Sequence, residues 1–232
     1  ALGMLPLFAI SAPRPSDDAF WVTALDVGQG LAVVVQTAQH TLLYDAGPKF
    51  NSEADSGNRV VVPYLRAIGI QRLDGMIVSH ADSDHSGGAL SVMHGVPIEW
   101  VAASLPVEHP IALNAKRFVP CFAGQNWQWD GVRFEMLHPG PWMNVATTND
   151  NNRGCVLKIS SRAGSMLLPA DIEQETEFEL TRQSRDALAS DVLLAPHHGS
   201  KTSSSDAFLR AVQPQFIMVS AGYRNRFGHP KR

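Results

Sequence analysis

Four side chains able to bind a metal fall within six positions in the stretch Ser79 to Gly88, which reads Ser-His-Ala-Asp-Ser-Asp-His-Ser-Gly-Gly: His80, Asp82, Asp84 and His85. Imidazole nitrogen and carboxylate oxygen are good ligands for divalent cations, and both groups are costly to bury unpaired. The apolar run 73–79 just before them reads as a buried strand, so the cluster needs a compensating charge, which a bound cation supplies. A strand running into a ligand-dense loop delivers several lone pairs to one point, whereas a helix would fan them around its circumference. The helix is therefore expected only after the cluster, over 86–93, with its first amides facing the loop. A polar turn with two incidental histidines is the plainer alternative, but the density of ligands argues for a metal.

The same pattern recurs without any repeat of sequence. Apolar runs end, and Asp or His follows: Asp45 after 40–44, Asp171 after 165–169, His197 and His198 after 191–195, and His229 beyond 215–220. If those strand ends share an edge, their ligands converge. Asp45 either orients the ligand loop or closes an Asx turn, and the sequence leaves these level. His197 and His198 cannot both point the same way from an extended segment. His197, directly after the strand and Pro196, is expected to act as ligand or proton donor, with His198 held structurally.

The elements that must position these residues are short. Residues 21–27, 31–37 and 40–44 read as an antiparallel meander with glycine turns. A helix is expected over 60–69 and a strand over 98–103, then short strands and turns over 104–130. A strand at 132–137 is followed by a polar loop over 142–152. A hairpin over 155–169 leads to a helix ending near Arg182. The last helix, 203–212, has Ser204 or Ser205 as its cap. The chain of 232 residues, 44% hydrophobic and 18% charged, fits one globular domain with a sizeable core and not a disordered one. Residues 1–19 read as a linker or the end of a preceding membrane region, and 20–232 as the domain, a piece of a longer protein. A net charge of −3 makes no general case for nucleic acid. From His197 onward, however, Lys201, Arg210, Arg224, Arg226, Lys231 and Arg232 face a single acid, Asp206, and such a segment can attract a polyanion. The two cysteines, Cys121 and Cys155, suggest neither a zinc site nor a disulfide framework and are expected as reduced core residues.

Taken together, these residues resemble the metallo-β-lactamase superfamily through the His-Ala-Asp-Ser-Asp-His loop. More closely, they are similar to the C-terminal domain of ComEC, the family of bacterial DNA-uptake membrane proteins. The similar stretches are 25–30, 43–47, 79–88, 151–157, 170–173, 196–200 and 225–230, which together span about 22 to the end. The resemblance implies an α/β (α+β) αββα sandwich with two divalent metal ions at one edge. The second histidine of the superfamily loop is Asp82 here, and the isolated middle histidine has no counterpart nearer than Asn151 or Asn152. On this reading His80, Asp82 and Asn152 stand nearer one ion and Asp84, His85 and His229 nearer the other, with Asp171 as the bridge and one of His197 and His198 as a further ligand or acid. An oxygen-rich set favours Mn²⁺ over Zn²⁺. Ser200, Lys201, Ser203, Arg224, Asn225 and Arg226 would contact phosphates without reading sequence. The implied function is a nuclease of a DNA-uptake channel in natural transformation, on the outer face of the cytoplasmic membrane, degrading the non-transported strand. Its partners would be DNA, the membrane channel domain of the same protein and other competence proteins. The competing readings are a silent DNA-guiding module and a small-molecule phosphodiester or thioester hydrolase.

Overall fold

The structure, a computed structural model, describes residues 12–141, 143 and 148–231. The expected linker and the loop over 142–152 lie partly outside the described residues. The described part of the linker is tied down: Arg14 donates to His40 O at 3.0 Å and to Thr41 Oγ1 at 3.0 Å.

Residues alternating in and out of the chain plane build two six-stranded sheets. The first runs in the order β1 (Trp21–Ala24), β2 (Val33–Gln36), β3 (Thr41–Tyr44), β4 (Gly75–Val78), β5 (Val101–Ala103), β6 (Phe118–Pro120). Its first three strands form the expected antiparallel meander, and β3 to β6 are parallel. The second sheet, read from its other edge, is β7 (Asn126–Trp129), β8 (Val132–His138), β9 (Val156–Ser161), β10 (Gly164–Leu168), β11 (Val192–Leu194), β12 (Phe216–Met218). Here β7 to β10 are antiparallel, and β11 and β12 run parallel to β10.

The period of two sorts each strand between layers. Val33, Val35, Leu42, Tyr44, Ile77, Phe134, Leu157, Ile159, Met166 and Leu168 fill the space between the sheets. Their neighbours Val34, Leu43, Met76 and Val78 face outward onto α1 (Val62–Ala67) and α3 (Ala89–Gly95). Val156, Leu167 and Leu193 face α5 (Gln174–Leu188) and α6 (Asp206–Val212). Each fully buried aliphatic or aromatic side chain stabilises by about 1.5–3 kcal/mol, so a strand buried on both faces is worth more than its length suggests. The result is the αββα sandwich. Among the described residues no helix is long and apolar enough to cross a membrane.

Several boundaries differ from expectation. The helix over 60–69 is a π-turn, Gly57–Val61, continuing into α1. The helix expected after His85 begins earlier: α2 (Ser83–Ser86) carries Asp84 and His85 themselves, so those two are presented from a helical turn and not from an extended loop. Asp82 O accepts from His85 N–H and Ser86 N–H and starts the turn. It stops at Gly87, where a side chain would meet Lys49 N at 2.3 Å. α5 runs past Arg182 to Leu188 across a break at Ser184. Residues 104–130 hold a short helix, α4 (Pro110–Asn114), besides β6 and β7. Ser205 caps α6 as expected, accepting from Phe208 N–H.

The cysteines are corrected outright. Cys121 and Cys155 form a disulfide, with Cα atoms 5.9 Å apart across a separation of 34 residues. One follows β6 and the other precedes β9, so the bond links the first sheet to the second, a juxtaposition invisible in their spacing. Cys155 N–H also donates to Ser79 O at 3.0 Å, which places the link directly behind the ligand-bearing segment. By the loop-closure argument, Cys121→Ser should lower unfolding free energy by about 3–4 kcal/mol. Urea denaturation of wild type and variant, each with and without reductant, measures it: reductant should destabilise only the wild type.

Candidate metal centre

The C-terminal ends of β3, β4, β10 and β11 meet at one edge of the sandwich, and the candidate ligands follow them there. Asp45 leaves β3 with φ +58°, a left-handed turn that Asp tolerates better than most residues. Its fully buried carboxylate accepts from Ser79 N–H at 2.6 Å, Ser79 Oγ–H at 2.7 Å and His85 Nδ1–H at 2.7 Å. All three bonds run from the 79–85 segment to Asp45 and none from its own turn.

These contacts set the histidine tautomers. His80 Nδ1–H donates to Ser79 Oγ at 2.9 Å, and His198 Nδ1–H donates to Ser220 O at 2.7 Å. With Nδ1 engaged in His80, His85 and His198, each Nε2 is left for the cluster. His85 Nε2 lies 3.1 Å from Asp171 Oδ1 and 3.3 Å from His198 Nε2. His198 Nε2 lies 3.3 Å from Asp84 Oδ2 and 3.4 Å from Asp171 Oδ2. Two overlapping groups result, His80–His85–Asp171 and Asp84–His85–His198, with ligand atoms within 4.8 Å of one another in each. The donor set fits a divalent cation: His80 Nε2 is buried with no hydrogen-bond partner, and facing imidazole nitrogens and carboxylates at these distances need positive charge between them.

The electrostatics agree. Burial would depress the His85 ring, but the carboxylates of Asp171 and Asp45 on either side outweigh it and raise its pKa well above the ordinary value. Burial would raise Asp171, yet the charge and hydrogen bond of His85, with His198 and His80, hold it far below the usual carboxylate range. Against burial, the His198 hydrogen bond and His85 lower Asp84. Without metal, a proton on His85 compensates the two carboxylates. A cation must displace that proton, so metal uptake strengthens as pH rises.

The structure arranges some predicted residues differently. It is His198, 4% exposed, that points inward. His197 sits on the rim, its Nδ1 3.0 Å from Thr202 Oγ1 and its Nε2 3.9 Å from Asp171 Oδ2. The 196–199 segment is not extended: both histidines are left-handed, at φ +51° and +55°, which turns one ring in and the other out. Asp82, 48% exposed on its side chain, stands 3.7 Å from His80 Nε2 at the mouth. Asn152 is buried, but its carboxamide oxygen accepts from Glu173 N–H at 2.8 Å, while Asn151 Oδ1 is the buried oxygen without a partner. His229 is peripheral, stacked on Phe227, its ring 6.2 Å from that of His197. Ser203 is mostly buried and its hydroxyl donates to Ile172 O at 2.8 Å, while the residue still forms part of the wall of the cleft that Ser200 and Lys201 line. Asn225 spends its side chain inside its own loop, on Gly222 O and on His229 O and N. Arg224 and Arg226 are exposed and lie over the rings of Tyr223 and Phe227. Ser200 and Lys201 line a cleft of about 620 Å³ that begins at Gly199, the residue after His198, together with Lys231, Gln174 and Asp206.

Sequence reasoning missed the supports. Ser79 stands next to His80 and relays its hydrogen bond to Asp45. Ser220 holds both His198 and, through its hydroxyl, Gly30 O at 2.7 Å. Gly30 is needed because the chain passes so close to Asp84 that a Cβ would meet Asp84 O at 2.4 Å. His138, pushed down to about 4 by burial, donates through Nε2 to Asn152 O at 2.8 Å and pins that turn. A serine beside a ligand histidine and a glycine pair after a strand were the available signals.

The sequence signature of the Metallo-beta-lactamase superfamily matches residues 25–221. The chain is 40% identical over 209 residues to Competence protein ComA of Neisseria gonorrhoeae, covering 90% of this chain and 28% of that protein. It is 35% identical to Recombination protein 2 of Haemophilus influenzae, covering 93% of this chain and 26% of that one. The chain thus spans under a third of the curated relatives it matches. Among solved structures, the metallo-beta-lactamase fold protein YhfI from Bacillus subtilis superposes with a TM-score of 0.57 at 13% identity, covering 89% of this chain and 88% of that one.

Asp45→Asn keeps shape and left-handed backbone but removes the charge facing His85. Metal affinity should fall about 10–100-fold with the fold retained, as read by calorimetric metal titration alongside circular dichroism. An unchanged affinity would remove Asp45 from the centre's support.

Proposed function

The chain belongs to the metallo-β-lactamase superfamily, and from that membership and its likeness to competence proteins we propose that it is the metal-dependent nuclease domain of a DNA-uptake channel protein, hydrolysing phosphodiester bonds of the non-transported strand during natural transformation. The observation that carries this reading is the pairing of a buried His80–His85–Asp171 and Asp84–His85–His198 centre with a cleft bearing Lys201 and Lys231. Acid and base chemistry and phosphate-binding charge then share one edge.

In this reading His80, His85, Asp84, Asp171 and His198 would hold two divalent ions, with Asp82 at the mouth. Ions held there would activate a water and neutralise charge on phosphate oxygens. Lys201, Lys231 and Ser200 grip the flanking phosphates. His197, on the rim with Nδ1 near Thr202 and Glu173, delivers the proton to the departing oxygen. Mn²⁺ is favoured over Zn²⁺ or Mg²⁺: carboxylates contribute much of the set, and the only two cysteines are locked in the disulfide, which removes thiolate, the ligand that most favours zinc. The disulfide also supports a place outside the reducing cytosol, in keeping with a domain on the outer face of the cytoplasmic membrane. There it would work beside the membrane channel domain of the same protein and other competence proteins.

Metal-stripped protein assayed on single- and double-stranded DNA should recover most activity with Mn²⁺, and Asp171→Asn should lower turnover at least about 100-fold without unfolding. Recovery with zinc alone would overturn the argument from oxygen donors. Binding without cutting under every metal would make the domain a guide.

Lys201→Ala should weaken DNA binding modestly and independently of sequence, reducing the log–log salt slope by about 1. Affinity titrations at several salt concentrations read that slope. An unchanged slope would place the DNA elsewhere.

A further inference from the structure

At the other end of the sandwich a cleft of about 340 Å³ opens between the edge strands β6 and β7, lined by Trp100, Arg117, Val119, Trp127, Trp129 and Met136 among others. Topology places it. Trp100 and Arg117 precede β5 and β6, which run parallel to β4 toward the metal edge. Trp129 pairs with Val132 at the start of β8, and the far end of β8, His138, is bonded to Asn152. At roughly 3.3 Å per residue β8 runs about 20 Å from the Trp129 end of the cleft to His138, and Met136, two residues before His138, lines the end of the cleft nearer the metal edge.

Three of the chain's five tryptophans meet here, each only partly buried. Trp100 and Trp127 pack edge to face at 5.4 Å, Trp127 stacks on Phe134 at 5.0 Å, and Trp129 stacks on His40 at 4.9 Å. Gly75 admits Trp100, since a Cβ there would lie 2.3 Å from the indole.

Two features are left over once this is counted as packing. Trp127 Nε1–H is buried with no acceptor, an uncommon and costly state. Among the described residues Arg117 makes no ion pair within 4.0 Å, although its charge acts on Glu99, which Lys116 pairs, and Arg72 is paired with Asp74. The Gln125 amide is already spent on Phe122 N and Pro120 O. The cleft therefore presents aromatic faces and an exposed guanidinium, with an unpaired, buried indole N–H in one of the residues that line it. Those features suit a flat ring bearing carbonyl oxygens and tethered to phosphate. Indole faces stack on bases of any kind, and Arg pairs with phosphate or stacks on the ring.

We propose that this cleft holds a base of single-stranded DNA, thymine with its two ring carbonyls above all, as an anchor apart from the site of cleavage. The inference rests on DNA being the substrate of the metal edge.

The test uses the whole chain with its metal chelated, so that no strand is cut, and two probes: dTMP, and an oligothymidylate long enough to span both sites. dTMP should quench tryptophan fluorescence in the wild type and much less in Arg117→Ala, an exposed position where loss of the side chain leaves the fold intact. Arg117→Ala and Trp129→Leu should each weaken oligothymidylate binding about tenfold, while Arg117→Ala cuts a short duplex at the wild-type rate once metal is restored. Unchanged fluorescence with dTMP, together with wild-type affinity of Arg117→Ala for the oligomer, would overturn the cleft and leave the nuclease reading standing if DNA is still cut. Arg117-dependent quenching by dTMP in a protein that cuts no DNA under any metal would do the reverse. Self-association in sedimentation that disappears in Arg117→Ala would make the cleft a contact between copies and would also overturn it.

Discussion

The metal edge depends on one buried carboxylate. Asp45 collects three hydrogens from Ser79 and His85 with no solvent to share them. A carboxylate in that position stabilises only what donates to it, so it fixes the backbone after β4 and the ring of His85 together. His85 is the residue common to both ligand groups, and His80 is tied to the same carboxylate through the Ser79 hydroxyl. One charge thus orients two of the three inward-facing imidazoles. The third, His198, is oriented by a carbonyl of the loop after β12.

That arrangement is strained. Asp45, Ala170, His197 and His198 all have φ between +51° and +58°, a conformation costing on the order of 1–3 kcal/mol for a non-glycine residue. His198 is itself a candidate ligand and His197 its neighbour, Ala170 turns the chain so that Asp171 enters the cluster, and Asp45 supports Ser79 and His85. The inter-sheet layer supplies the rigidity that holds these turns. Tyr44, fully buried beside Asp45, donates to Cys155 O at 2.6 Å, and Cys155 in turn bonds Ser79 and Cys121. Packing, disulfide and site form one connected unit.

The donor set is mixed, three imidazole nitrogens with the carboxylates of Asp84 and Asp171 inside and Asp82 at the mouth. It is smaller than the sequence suggested, because the Asn152 side chain turns to Glu173 and His229 stays at the periphery, while His198 stands where His197 was expected. It remains free of sulfur, since both cysteines serve the fold.

The sequence by itself determined the family resemblance, and through it the sandwich. A side chain that directly follows a strand lies at that strand's end, so the placement of His80, Asp84, His85 and Asp171 at one edge was legible as local adjacency. Only the tertiary structure decided what depends on direction or on distant pairs. Left-handed backbone at 197 and 198 chose which histidine faces inward, and no one-dimensional spacing encodes that handedness. The Cys121–Cys155 bond, the Ser220 carbonyl on His198 and the burial of Ser203 likewise arise where segments far apart in the chain are brought together by strand pairing. The sum of many packing contacts sets that pairing, and no single residue announces it.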